Sequence, residues 1–107
     1  MKLWVDDVRP APKGYAWCRS VNSAIREIEC DEIIFNVAPF SFVDFRIELI
    51  DIDHDAGDYA SDGGDYIKLL DWLEETGRSY PIHIHSMNPV GVENMRRIIR
   101  RNGWVEV

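Results

Sequence analysis

Three short apolar runs in this chain each end in a group of ionisable residues. Leu3-Trp4-Val5 is closed by Asp6-Asp7, the run Leu49 to Ile52 by Asp53-His54-Asp55, and Ile82-His83-Ile84 by His85-Ser86. Runs this short, bounded by turn signals, read as buried strands. The segments between them carry helical spacing instead. Ser20 suits an N-cap, with Val21, Ala24, Ile25 and Ile28 following at i, i+3, i+4 and i+7. Tyr66, Ile67, Leu69, Leu70 and Leu73 mark a second helix that Gly77 stops. Asn88-Pro89 supplies an N-cap and a proline at the first helical position, and Val92, Met95, Ile98 and Ile99 give that third helix an apolar face ending at Gly103. Strands alternating with helices predict an α/β domain with a mostly parallel sheet. Tyr15–Cys18 is a further strand candidate, and Trp104–Val107 a last one. Ile33-Ile34-Phe35 and Phe40–Phe45 flank Ala38-Pro39, which predicts an inserted β-hairpin around 33–47.

With 107 residues the chain makes one domain, spanning 1–107. Its 19 Asp and Glu outnumber 12 Lys and Arg, a net charge of −7 that argues against general duplex nucleic-acid or membrane-surface binding. No apolar run approaches a membrane span, and the start turns acidic too early for a signal peptide. Cys18 and Cys30 fit neither a CxxC pair nor a zinc finger and read as two buried thiols of a cytoplasmic protein. Trp4, Trp17, Trp72 and Trp104 read as core, and Arg96, Arg97, Arg100 and Arg101 as a solvated helix face.

Ligands of parallel α/β sheets bind beyond the carboxyl ends of the strands. If the first strand neighbours the third and the third the fourth, Asp6, Asp7, Asp53, His54, Asp55, His85, Ser86 and Asn88 meet at one rim. Crowded carboxylates repel, which calls for a cation, and an oxygen ligand set suits Mg²⁺ or Mn²⁺. The expected metal ligands are Asp6, Asp7, Asp53 and Asp55. An EF-hand reading of Asp51, Asp53, Asp55 and Asp62 fails, because its obligatory sixth-place glycine is Ala56. His83 and His85 share one strand face, and His85, at the functional end, is the stronger candidate with His54. The helix opening at Asn88-Pro89 offers N–H groups to an anion, with Ser86 beside them.

Lys2-Leu3-Trp4-Val5-Asp6-Asp7 with Arg9 and Pro10, Asp53-His54-Asp55-Ala56-Gly57, and Ile84-His85-Ser86-Met87-Asn88-Pro89-Val90-Gly91 together resemble the cyclic-phosphate processing receiver-like family. That family is a shortened derivative of the response-regulator receiver domain. The resemblance implies a single three-layer, flavodoxin-like domain whose first helix is replaced by the Pro-rich loop after Asp7. It matches Asp6 and Asp7 to a metal-holding acidic pair, Asp53 to a phospho-accepting aspartate and Ser86 to the hydroxyl closing the fourth strand. The lysine expected after that strand is absent, since Lys68 is the last lysine. The function implied is a metal-dependent phosphoesterase acting on a cyclic nucleotide or a 2′,3′-cyclic phosphate RNA end. His85 and His54 then act as acid and base in either order, and Ser86, Asn88 and Arg9 hold the phosphate. The alternatives are a non-catalytic module binding a phosphorylated ligand, or a protein partner through the insert, and a receiver phosphorylated on Asp53.

Overall fold

The computed structural model describes residues 1–37 and 46–107. Four strands, β1 (Lys2–Val5), β2 (Tyr15–Cys18), β3 (Leu49–Ile52) and β4 (Ile82–Ile84), form one sheet in the order β2-β1-β3-β4. Every pairing is parallel, with Val5 opposite Cys18 and Ile52, and Ile52 opposite Ile84. The strand neighbours required for a common rim are therefore formed. Three α-helices follow the strands: α1 (Val21–Val37), α2 (Ile67–Glu75) and α3 (Pro89–Asn102), with a short 3-10 helix at Gly57–Ser61. No helix among the described residues is long and apolar enough to cross a membrane.

The helix ends follow the local chemistry of the sequence. Ser20 Oγ accepts from Ser23 N at 3.0 Å, and Asn88 caps α3 by accepting from Gly91 N at 3.0 Å with Pro89 at the first position. Gly77 and Gly103 lie just beyond the ends of α2 and α3 at φ 69° and 68°, a left-handed backbone that glycine adopts without strain.

Burial alternates along β1: Leu3 and Val5 are fully buried while Lys2 and Trp4 are half-buried. Leu3, Val5, Ile50, Ile52 and Ile82 join one core with Ala24 and Ile28 of α1, Leu69, Leu70 and Leu73 of α2, and Met95 and Ile98 of α3. All three helices thus cover the same sheet face. The chain passes from Asp6 to Gly14 without a helix, as the Pro-rich loop predicts. That substitution also removes the element that would cover the other face. The expected third layer is consequently not built by a helix among the described residues.

Three expectations are corrected. Ile33, Ile34 and Phe35 belong to the last turns of α1 and form no hairpin strand. A short β-branched run cannot by itself distinguish a strand from a helix end, and α1 continues because Asp31, one turn after Ile28, is also buried. The remainder of that predicted hairpin, 38–45, lies outside the described residues. Cys30 is exposed, two positions round the helix from buried Ile28, whereas Cys18 is buried and its thiol pushed up to about 11 by burial and the nearby Glu27. Trp104–Val107 forms no strand, only an isolated bridge from Glu106 to Ile82.

The start of α1 is held by the loop after the 3-10 helix. Asp62 accepts from Ser20 Oγ at 2.7 Å and Asn22 Nδ2 at 3.0 Å, and these bonds hold its carboxyl below the usual aspartate range. A lowered folded value stabilises the fold above the ordinary range, and the contribution is lost as pH falls through the lowered value. Ser20→Ala is expected to move the Asp62 titration upward, read by carboxyl-carbon NMR. Loss of the cap should also cost about 1 kcal/mol in urea unfolding.

Candidate functional site

Asp6 leaves β1 at the carboxyl rim of the sheet and is 1% exposed. Its Oδ1 accepts from the amides of Val8 and Arg9, both at 2.9 Å, so the loop folds back over its own carboxylate. Its Oδ2 lies 2.9 Å from His85 Nε2. Burial works to raise the Asp6 carboxyl, but the two amides and His85 outweigh it and hold the group below the usual range. With both Oδ1 lone pairs engaged, only Oδ2 has a lone pair left for a further ligand.

His85 is clasped on both sides. Its Nδ1 lies 2.6 Å from Oδ1 of Asp51, a 6%-exposed carboxylate in the middle of β3. Its ring stacks on Trp4 at 3.9 Å between centroids and 4° from parallel. Two carboxylates are both satisfied only when the ring donates from each nitrogen. Both ring nitrogens thus already have a carboxylate partner.

Asp6, Asp7 and Asp53 each present a carboxylate oxygen within 4.8 Å of the others. Asp53 Oδ1 accepts from His54 N at 2.7 Å. Asp7 is pressed against Gly57, where an added Cβ would overlap its Oδ2. The oxygen-only donor set suits a hard divalent cation, and the close approach of three acids favours one electrostatically. Their field reaches Tyr66, whose hydroxyl is pushed well above its ordinary range by burial and by the charges of Asp7, Asp6 and Asp53. Tyr66 donates that hydroxyl to Arg19 O at 2.7 Å.

The remaining predicted residues lie outside the cluster of carboxylate oxygens formed by the trio. Asp55 points to His54 Nδ1 at 2.8 Å and to Asn88 Nδ2 at 3.4 Å, so the carboxylate expected as a fourth ligand is engaged elsewhere. The reason is local: the His54 ring packs directly on Gly91 at the start of α3, where any Cβ would collide with it. The start of α3 largely satisfies itself. Ser86 Oγ accepts from Asn88 N, Asn88 Oδ1 from Gly91 N and Asn88 O from Val92 N, while Pro89 has no N–H. The anion site expected from free helix amides is reduced to Val90 N. Arg9 Nη1 donates to His85 O at 3.1 Å. His83 Nδ1 meets Val107 O, away from the rim. On α3, Arg96, Arg100 and Arg101 pair with Glu106, Glu93 and Glu74.

Three participants escaped the sequence reading. Asp51 and Trp4 sit inside an apolar strand pattern, and only strand pairing places them under His85. Arg19 carries no motif. It lies at the end of β2, donates through Nε and Nη2 to Asp7 O at 3.2 and 2.8 Å, and stacks over Trp17 and Tyr59. Trp17 is accordingly 38% exposed as a platform and is not core.

A parallel sheet with an acidic trio at the ends of its two central strands defines a receiver-like α/β domain. The chain matches the cyclic-phosphate processing receiver domain over residues 1–101 and belongs to that family. No curated protein and no solved structure gives a significant match.

His85→Ala would leave Asp6 and Asp51 buried without their shared partner. The expected loss is about 3–5 kcal/mol in urea unfolding at neutral pH, and a loss below about 1 kcal/mol would show that His85 holds neither carboxylate. Gly57→Ala is expected to displace Asp7 Oδ2 and weaken Mn²⁺ binding by about tenfold, measured by electron paramagnetic resonance of free Mn²⁺.

Proposed function

We propose that the protein is a metal-dependent phosphoesterase acting on a cyclic phosphate, either a cyclic nucleotide or a 2′,3′-cyclic phosphate RNA end. The observation that carries this reading is the convergence of Asp6, Asp7 and Asp53 within 4.8 Å at the strand ends, in a chain of a cyclic-phosphate processing family. Acting on an RNA end, the activity would belong to cytoplasmic RNA repair.

Opening a cyclic phosphodiester requires its charge to be offset, a water activated and a leaving alkoxide protonated. Mg²⁺ or Mn²⁺ held by Asp6, Asp7 and Asp53 would supply charge neutralisation and a more acidic water. The chain's own residues divide the rest. His85, occupied on both nitrogens, fixes the orientation of Asp6 through Oδ2. The acid–base role then falls to His54, whose Nδ1 is oriented by Asp55 and whose Nε2 has no hydrogen bond among the described residues. Asp55 thereby serves the histidine that moves the proton. Arg9, anchored on His85 O, keeps guanidinium donors for a phosphate oxygen, and Ser86 keeps its hydroxyl proton for the same purpose.

The engagement of His85 also favours a second reading, a module of this family that binds a phosphorylated ligand without turning it over. Incubation with a 2′,3′-cyclic phosphate oligonucleotide or a cyclic nucleotide, with Mn²⁺ and with EDTA, separates the two. Hydrolysis that EDTA abolishes, that Asp53→Asn lowers by about a hundredfold or more, and that His54→Gln also lowers is the expected outcome. Binding of an unchanged ligand with no turnover in Mg²⁺ or Mn²⁺ would leave only the binding module.

A further inference from the structure

The nine arginines of this chain differ in what they face. Arg46, Arg78, Arg96, Arg100 and Arg101 each face a carboxylate within ion-pair distance. Arg9 and Arg19 lie at the rim beside the acid trio, yet their guanidinium groups donate only to main-chain carbonyls among the described residues: Arg9 to His85 O, Arg19 to Asp7 O. Of the neighbouring carboxylates, Asp6 is committed to two amides and His85, and Asp53 to His54 N. Neither guanidinium thus pairs directly with a carboxylate of the adjacent trio among the described residues.

Arg19 is the more rigidly held. Its guanidinium carbon lies 4.6 Å from the Trp17 ring centroid and 5.0 Å from that of Tyr59. Trp17 is itself fixed by donating Nε1 to Asp6 O at 2.8 Å. A guanidinium has five N–H donors, and the two bonds to Asp7 O leave three unused. Stacking and tethering have already removed the side-chain freedom that binding would otherwise cost. Along the rim Arg19 stands at the β2 end and the Arg9 anchor at the β4 end, with Asp7 and Asp53 between them.

We propose that Arg19 is an anion-binding residue of this site, donating its free guanidinium N–H groups to a phosphate oxygen held beside the acid trio. This rests on reading the rim as a phosphate site, and it assigns to Arg19 the cation that the missing lysine would otherwise supply. It also sets the ligand class: a phosphoryl group with at least two unesterified oxygens, one toward the trio and one toward Arg19, which a cyclic phosphodiester and an inorganic phosphate both provide.

The test uses the full chain and inorganic phosphate, titrated calorimetrically in saturating Mn²⁺, with Mn²⁺ affinity measured separately by electron paramagnetic resonance. Arg19→Ala is expected to weaken phosphate binding by about tenfold or more, with Mn²⁺ binding and melting temperature retained. Arg19→Lys should recover part of the loss, and Arg96→Ala, on the outer face of α3, should lose nothing. Unchanged phosphate affinity in Arg19→Ala, or an equal loss in Arg96→Ala, overturns the proposal. So does a parallel fall in Mn²⁺ affinity, which would mean that Arg19 acts only by holding the Asp7 backbone. The hydrolytic reading fails separately: wild-type protein that binds phosphate through Arg19 but opens no cyclic phosphate keeps this site and loses that activity.

Discussion

The bridge from Asp51 through His85 to Asp6 is the contact on which the rim depends. It ties the ends of β4 and β1 to the middle of β3, so three of the four strands are registered through one imidazole. Buried carboxylates are costly unless paired, and here each partner answers the other's deficit. Trp4 closes the arrangement from the side by stacking on the ring. Once His85 and the amides of Val8 and Arg9 have set Asp6, the loop carrying Asp7 has little freedom left.

Electrostatics then explains why the rim is arranged with its cations tethered rather than paired. A direct ion pair between Arg19 and Asp7 would satisfy both groups and leave nothing to receive a ligand. Binding the guanidinium to the Asp7 carbonyl keeps positive and negative charge adjacent but separate. On the far side of the molecule the opposite solution appears, with Arg96, Arg100 and Arg101 matched to glutamates. The net charge of −7 is therefore an average over surfaces of unlike charge pattern.

Much of this was legible in the residues, for identifiable reasons. Apolar runs closed by acids or, for β4, by His85-Ser86 located β1, β3 and β4, and caps such as Ser20, Asn88 and Gly103 marked helix ends, because both signals are local. Asp6, Asp7 and Asp53 could be grouped once the strands were taken as parallel neighbours. Where contacts depend on which residues meet across the sheet, the sequence was silent: Asp51 looks like an interruption in a strand until His85 is seen against it. The same holds for Arg19, whose platform comes from two separate segments. Ile33 to Phe35 misled because a short apolar β-branched run reads alike in both periodicities. Asp55 is met by its neighbour His54, a contact that its place in the sequence does not announce.

One consequence follows from the aromatic side chains. Trp17 donates to Asp6 O and supports Arg19, while Trp4 lies flat against His85. Two of the four indoles thus lie beside partners of the acid trio, while Trp72 and Trp104 pack, partly buried, against the core. Any ligand that shifts Arg19 or His85 changes the surroundings of an intrinsic fluorophore. A ligand seated at the rim would therefore be read by these two indoles without a label.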